Sequence, residues 1–109
     1  MDRIVDFAVD YQAIAASQAA TGLGGQGGGS GSKGDILSQI LVIPATLSPG
    51  SVTITDGAGS AITVFAGGAS SLLTLQPFVI SFSDIRSVSG AWKVATGANL
   101  SVIASGWFH

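Results

Sequence analysis

Apolar residues alternate with hydroxyl-bearing residues along much of the second half of the chain. Residues 52–55 alternate between aliphatic side chains and threonine, and residues 61–65 alternate again after the turn at 56–59. Period-two alternation is typical of strands with one buried face, and a glycine-containing turn between two such runs predicts a β-hairpin. We predict one hairpin here and a second from residues 91–95 and 100–103, around the turn at 96–99.

The remaining strands are predicted from short apolar runs. Residues 36–43 are apolar at most positions and end at Pro44, which indicates a strand covered on both faces. Residues 72–75 and 78–82 form either one strand kinked at Pro77 or two short strands, and the proline favours a sheet edge or a bend. After residue 35 there is no helix-length pattern. We therefore predict an all-β fold for residues 35–109, a small antiparallel β-sandwich or barrel that is jelly-roll-like.

The first 34 residues differ from this body. Residues 22–34 are rich in glycine and serine, as in a flexible linker. Residues 1–21 fit either a helix or a strand, and the alanine-rich stretch at 13–20 favours a helix over 3–18. A strand at 4–11, added to the sheet edge of a neighbour, stays open as the alternative. We thus divide the chain into a partner-binding arm (1–21), a linker (22–34) and a β body (35–109).

The composition excludes several classes of protein. The chain has 109 residues, and only 9% are charged, against about 25% in an average domain. Four Lys and Arg residues cannot form the basic stripe of a usual nucleic-acid-binding protein. The chain has no cysteine, and its uncharged stretches are interrupted by proline and glycine, which predicts no membrane-spanning helix. We expect neither a nucleic acid nor a membrane as a partner.

The residues needed for catalysis are largely missing. The one histidine is His109, the last residue, and the chain has no glutamate. The body aspartates Asp35, Asp56 and Asp84 stand at turns or strand boundaries, where aspartate is common for conformational reasons. We therefore predict no catalytic, cofactor-binding or metal-binding residues, no cofactor, and a protein that is not an enzyme.

Three short motifs match functional patterns, but none of them indicates a cofactor-binding, catalytic or glycosylation site. Residues 22–27 match G-x-G-x-x-G, but the preceding strand and following helix of a dinucleotide site are missing from the pattern. Residues 30–33 match S-x-x-K within the linker, where no helix positions the pair. The sequon at 99–101 is interpreted as accidental. Trp92 and Trp107 fit sugar stacking or a core, and the core is favoured.

The size of the body predicts oligomerisation. A β body of about 75 residues without disulfides or metal is near the lower limit of independent stability, so contacts between subunits are the remaining means of stabilisation. The candidate oligomer interface consists of seven apolar residues: Ile40, Val42, Phe78, Ile80, Phe82, Trp107 and Phe108. The candidate partner-binding residues of the arm are Arg3, Ile4, Phe7, Tyr11 and Ile14.

The sequence of the β body resembles a known group of proteins. The hairpin at 51–65, the Gly67-Gly68 pair, Pro77-Phe78 and the G-A-W-K-V-A-T-G-A-N run within 89–103 are the residues concerned. Over residues 36–107 the chain resembles the small β-sandwich proteins of tailed-phage virions, above all head decoration (cement) proteins and head-fibre proteins. The resemblance implies a homotrimer on the capsid exterior that binds the major capsid protein and stabilises the shell.

Two other functions fit the pattern. The first is a carbohydrate- or receptor-binding module of a phage fibre or collar. Sugar sites combine exposed aromatic rings with amides and carboxylates, and the body has few amides: Gln39, Gln76 and Asn99. The second is an oligomeric shell protein of another kind.

Overall fold

The computed structural model describes residues 10–24 and 33–108. Within these residues the chain forms strands and no helix, and therefore no helix that could cross a membrane. The strands are β1 (Asp10–Ile14), β2 (Thr21–Gly22), β3 (Ile36–Pro44), β4 (Val52–Asp56), β5 (Ile62–Phe65), β6 (Phe78–Arg86), β7 (Trp92–Thr96) and β8 (Leu100–Trp107).

The strands form two antiparallel sheets of four. One sheet has the order β1-β8-β3-β6 and the other β2-β7-β4-β5, so β4 and β5 are the one consecutive pair of described strands that share a sheet. Every other connection between consecutive strands crosses from one sheet to the other. This is the strand order of an eight-stranded jelly roll. The predicted all-β sandwich is thus confirmed.

The core lies between the two sheets because one face of most strands is apolar. Buried residues alternate with partly exposed ones along β7 and β8, as their sequence pattern predicts. The buried hydrophobic residues come from five strands and from the chain after β2 and β8: Ile14, Leu23, Leu37, Ile40, Val42, Val52, Ile54, Trp92, Val94, Leu100, Val102, Ala104 and Phe108.

The first predicted hairpin is confirmed and the second is wrong. β4 and β5 pair antiparallel, with Thr53 opposite Thr63. β7 pairs with β2 and β4, whereas β8 pairs with β1 and β3, so residues 97–99 connect the two sheets. The alternation is the same in both arrangements. A hairpin would pair β7 with β8, whereas in the structure each of them pairs with other strands of its own sheet.

The helix favoured over 3–18 is wrong where the structure describes the chain. Residues 10–14 are strand β1, paired with β8, and residues 16–17 form a turn. Residues 3–9 lie outside the described residues. The β8 edge overrides the helical propensity of alanine because it offers β1 a complete hydrogen-bond ladder and a core position for Ile14, which is buried.

Residues 10–24 contribute an edge strand to each sheet. β1 closes one sheet beside β8, and β2 closes the other beside β7. Leu23, which the sequence analysis assigned to the linker, is fully buried and donates its backbone N–H to the carbonyl of Trp92. The structure therefore places most of the described arm and the start of the linker within the sandwich.

Candidate interaction surfaces

Charged residues are confined to one half of the described sandwich. The strand register places Asp10, Lys33, Asp35, Asp56, Asp84, Arg86 and Lys93 at or towards the end where β3 begins and β8 finishes. The opposite end consists of the loops at 15–20, 45–51, 66–77 and 97–99, none of which contains a charged residue. We call these four loops the charge-free end.

Backbone hydrogen bonds join the loops of the charge-free end in series. Ser17 donates its N–H to the carbonyl of Gly97 at 2.9 Å, which links the first loop to the last. Gly50 donates to Ala98 at 2.8 Å, and Gly68 donates to the carbonyl of Pro49 at 2.8 Å. The four loops therefore form one connected surface.

Glycine makes this close approach possible. A Cβ on Gly67 would overlap the carbonyl of Gly50, and a Cβ on Gly97 would lie 2.7 Å from the backbone nitrogen of Ser51. Gly67 also has a φ of 68°, in the left-handed region that favours glycine. The loops are thus packed backbone against backbone.

Leucine side chains project from the charge-free end. Leu73 is 94% exposed and Leu75 is 53% exposed, and Leu47 on the neighbouring loop is also exposed. The backbone N–H of Leu72 donates to the carbonyl of Leu47, which holds the two loops side by side. The same end contains a shallow concavity of about 440 Å³, lined partly by Ser17, Pro44, Asn99 and Ser101.

A second apolar surface lies along the side where β5 and β6 close the sandwich. β5 has four residues and β6 has nine, so β5 does not cover the whole length of the inward face of β6. The rings of Phe65 and Phe78 pack edge to face, with centroids 5.2 Å apart. We call the partly buried side chains here the β5/β6 flank: Val64, Phe65, Phe78, Ile80, Phe82 and Ile85.

The backbone edge of β6 is interrupted beside this flank. Residues 82–84 of β6 oppose Ser38 of β3, which makes a bulge in the ladder. Ser83 and Asp84 have φ values of 56° and 59°, and the Ser38 hydroxyl donates to Asp84 Oδ1 at 2.6 Å. A bulged edge is poorly suited to pairing with another strand, so the flank offers side chains rather than a free ladder.

The outer face of the β1/β8 sheet carries two exposed aromatic rings. Tyr11 lies opposite Ser105, and Trp107 follows two residues later on the same face of β8. Trp107 is 42% exposed. Gln39 of β3 also pairs with Ser105, so an amide and a hydroxyl lie beside the two rings. Trp92, by contrast, is buried and donates its indole N–H to the carbonyl of Asp35 at 3.1 Å.

Asp56 has a structural role at the charged end. Its carboxylate accepts hydrogen bonds from the backbone N–H groups of Val88 and Ser89, each at 2.9 Å. Burial acts to raise the pKa of Asp56, but the bonds from Val88, Ser89 and Gly90 together lower it below its ordinary value. The carboxylate thus fastens residues 88–90 to the end of β4, in keeping with the turn role predicted for it.

The predicted oligomer interface is divided between the core and the surface. Ile40, Val42 and Phe108 are buried among the side chains of their own subunit, so they stabilise the sandwich and are not available to a neighbour. Phe78, Ile80 and Phe82 lie together on the β5/β6 flank. Trp107 lies on a different surface, the outer face of the β1/β8 sheet.

The predicted arm residues are likewise separated. Ile14 is buried in the core, whereas Tyr11 is exposed on the outer face of β1. Arg3, Ile4 and Phe7 lie outside the described residues.

The exposed leucines were not predicted as binding residues. The strand predicted at residues 72–75 is wrong, because these residues lie in the loop before β6. The sequence does show that residues 36–55 and 57–83 contain no charged residue. From the sequence alone this indicates only low surface charge, because the strand register is needed to show that the loops of these segments meet at one end.

The described residues contain no group of three or more His, Cys, Asp or Glu side chains that could hold a metal ion. No protein-family model, curated protein or solved structure significantly matches the chain.

Proposed function

We propose that the chain is a structural virion protein that decorates the outside of a phage head as a homotrimer, binds the major capsid protein and stabilises the shell. The observation that carries the proposal is the β5/β6 flank. Decoration requires no chemistry; it requires apolar surface that several subunits can bury together.

The flank supports self-association because its side chains point inward but are incompletely covered. On the neighbouring strand β3 the inward residues Leu37, Ile40 and Val42 are fully buried, whereas Phe78, Ile80 and Phe82 on β6 are only partly buried. Each 100 Å² of apolar surface removed from water stabilises the assembly by about 2.5 kcal/mol. A neighbouring subunit at this side would complete the core.

The fold agrees with this function by analogy. Jelly rolls form viral capsid domains and also lectin domains, so the architecture is compatible with decoration and does not select it. A cyclic oligomer repeats each contact, and weak binding by one subunit becomes strong when three bind together.

The test has two stages. Light scattering should give the mass of a trimer for the native chain and of a monomer for Phe82→Asp, because the variant places a charge on the flank. Val88→Asp is the matched control, since Val88 is 74% exposed and is not one of the flank residues. A monomeric native chain at about 100 µM would contradict the trimer.

The second stage uses heads of the phage that encodes the chain, prepared from a strain with its gene deleted. The purified chain should co-sediment with these heads and raise the temperature at which they open. Heads that neither bind the chain nor gain thermal stability would refute the decoration function.

Carbohydrate binding is the second candidate, favoured by the exposed rings of Tyr11 and Trp107 beside Gln39. Sugar rings stack on exposed aromatic faces while amides and hydroxyls bind their hydroxyl groups. Oligosaccharides of the host surface should then change the fluorescence of the native chain and not that of Trp107→Phe. Equal fluorescence changes in both proteins, or none in either, would exclude this site.

A further inference from the structure

We propose that the charge-free end is the surface through which each subunit contacts the shell, and that the complementary surface is an apolar, uncharged region of protein. This inference rests on the proposed function. It adds which end of the sandwich contacts the shell and what chemistry the contacted surface of the partner has.

The distribution of charge selects this end. Moving a charged side chain out of water into an apolar contact carries a large desolvation cost unless the charge finds a partner. The charge-free end has no such cost, because its four loops contain no charged residue. A partner surface rich in charges would instead lose hydration here without gaining a counter-charge, so an uncharged partner surface fits best.

The rigidity of the end also favours binding. The bonds from Ser17 to Gly97, from Gly50 to Ala98 and from Gly68 to Pro49 hold the loops together before any partner arrives. Less conformational entropy is then lost on association than with independent loops. Exposed Leu73 and Leu75 provide the apolar contact, and the same end also contains the concavity at Pro44 and Asn99.

The position of the end is compatible with the proposed trimer. The β5/β6 flank lies along the side of the sandwich, whereas the charge-free end lies across the ends of the strands. In a cyclic trimer whose axis is parallel to the strands, all three charge-free ends face the same direction. Three leucine-bearing surfaces can then bind one shell together, with the flanks already occupied.

Val88, Trp107 and Tyr11 are also exposed, but they do not offer the same surface. Val88 is exposed at the charged end, where its own backbone N–H donates to the carboxylate of Asp56. Trp107 and Tyr11 project from the outer face of one sheet, beside polar Gln39 and Ser105. The charge-free end combines exposed leucines with four loops that contain no charged residue.

The experiment measures binding of the full chain to the gene-deleted heads by co-sedimentation. Leu73→Asp and Leu75→Asp should each weaken binding by about tenfold or more, since each places a charge in the contact. Val88→Asp, which adds the same charge at the opposite end, should remain within about twofold of the native chain. Both leucines are exposed, so the variants should keep the native melting temperature and the trimer mass.

Salt provides a second measurement. An uncharged contact should change its Kd by less than about threefold between 0.1 and 1 M NaCl, because there is no ion pair to screen. A steep loss of binding in salt would overturn the proposed chemistry of the partner.

The outcomes separate the two proposals. If the native chain binds heads and both leucine variants bind equally well, the charge-free end is not the contact, and the decoration function stands. If the native chain does not bind heads, both proposals fail. Phosphatidylcholine vesicles are the further probe: sedimentation of the native chain with them, lost in the leucine variants, would identify a lipid surface and overturn the protein partner.

Discussion

The side chain of Gln12 joins the two sheets through the backbone on either side of Leu23. Its amide Nε2 donates to the carbonyl of Gly22 at 3.0 Å, and its Oε1 accepts the N–H of Gly24 at 2.9 Å. Gln12 lies on β1 and Gly22 on β2, so these bonds connect the edge strands of opposite sheets. They close the side of the sandwich opposite the β5/β6 flank.

Gln12→Ala should lower the free energy of unfolding by about 1–3 kcal/mol, because it leaves a partly buried N–H and a partly buried carbonyl without these partners. Urea denaturation measures the change. Gln39→Ala, an exposed glutamine on the outer face of β3, is the matched control and should change stability by less than about 0.5 kcal/mol. Equal losses in the two variants would contradict the bridging role.

Gly24→Ala should be more destabilising than Gly68→Ala. Both glycines have positive φ, 92° and 107°, so both substitutions impose backbone strain. A Cβ on Gly24 would in addition overlap the Cβ of Phe108, whereas a Cβ on Gly68 meets nothing within 4 Å. We expect the difference between the two to be about 1–3 kcal/mol, measured by thermal or urea unfolding. A larger cost for Gly68→Ala would show that the contact between Gly24 and Phe108 is not limiting.

The stability of the chain should depend on the ionisation of Asp56. Its folded-state pKa is lowered from 3.8, so the carboxylate stabilises the fold fully above its unfolded pKa and loses this contribution as the pH falls through the folded value. The native chain should therefore be more stable than Asp56→Asn at pH 7, and the difference should shrink below about pH 4.

Urea titrations at several pH values measure this dependence on Asp56. Ser89→Ala is the control, because it removes the hydroxyl that accepts from Ala58 and keeps the backbone N–H that Asp56 binds. Its stability should follow the same pH dependence as that of the native chain. A difference between the native chain and Asp56→Asn that is the same at all pH values would contradict the role of the charge.

The two tryptophans should differ in fluorescence. Trp107→Phe leaves only buried Trp92, so its emission should lie at shorter wavelength and resist quenching by acrylamide. Trp92→Phe leaves only Trp107, which is partly exposed and should be quenched readily. Trp92→Phe should also lower stability by about 1 kcal/mol, since the carbonyl of Asp35 loses its indole partner. Equal quenching of the two variants would contradict these positions.

The local sequence pattern was sufficient to predict those elements whose pairing partners are close in sequence. The alternation at 52–55 and 61–65, with its glycine turn, predicts the β4–β5 hairpin because sequence neighbours supply the pairing. The same alternation failed for β7 and β8. The connection between them is also short, but the partners of Val94 and Val102 lie in opposite sheets and are distant in sequence.

The candidate surfaces were also predictable only where they depend on residues that are close in sequence. Phe78, Ile80 and Phe82 were predicted together because alternate positions of one strand share a face. Ile40 and Val42 have the same pattern, but β3 is central and β6 is an edge strand, which decides whether the side chains are covered. The loops that carry Leu47 and Leu73 are joined by the backbone bond from Leu72 to Leu47, a contact that no local pattern encodes.

The sequence by itself determined that the body is all-β, that its core consists of alternating aliphatic residues, and that charge is scarce between residues 36 and 83. These properties follow from the alternation of apolar and polar residues and from the composition, both of which can be read from short stretches of sequence. The tertiary structure decided that residues 10–24 belong to the sandwich, that the charged residues of the described sandwich lie in one half, and that β6 is partly uncovered. Those depend on which strands meet across long stretches of chain, where burial in the assembled fold outweighs the local preference of each segment.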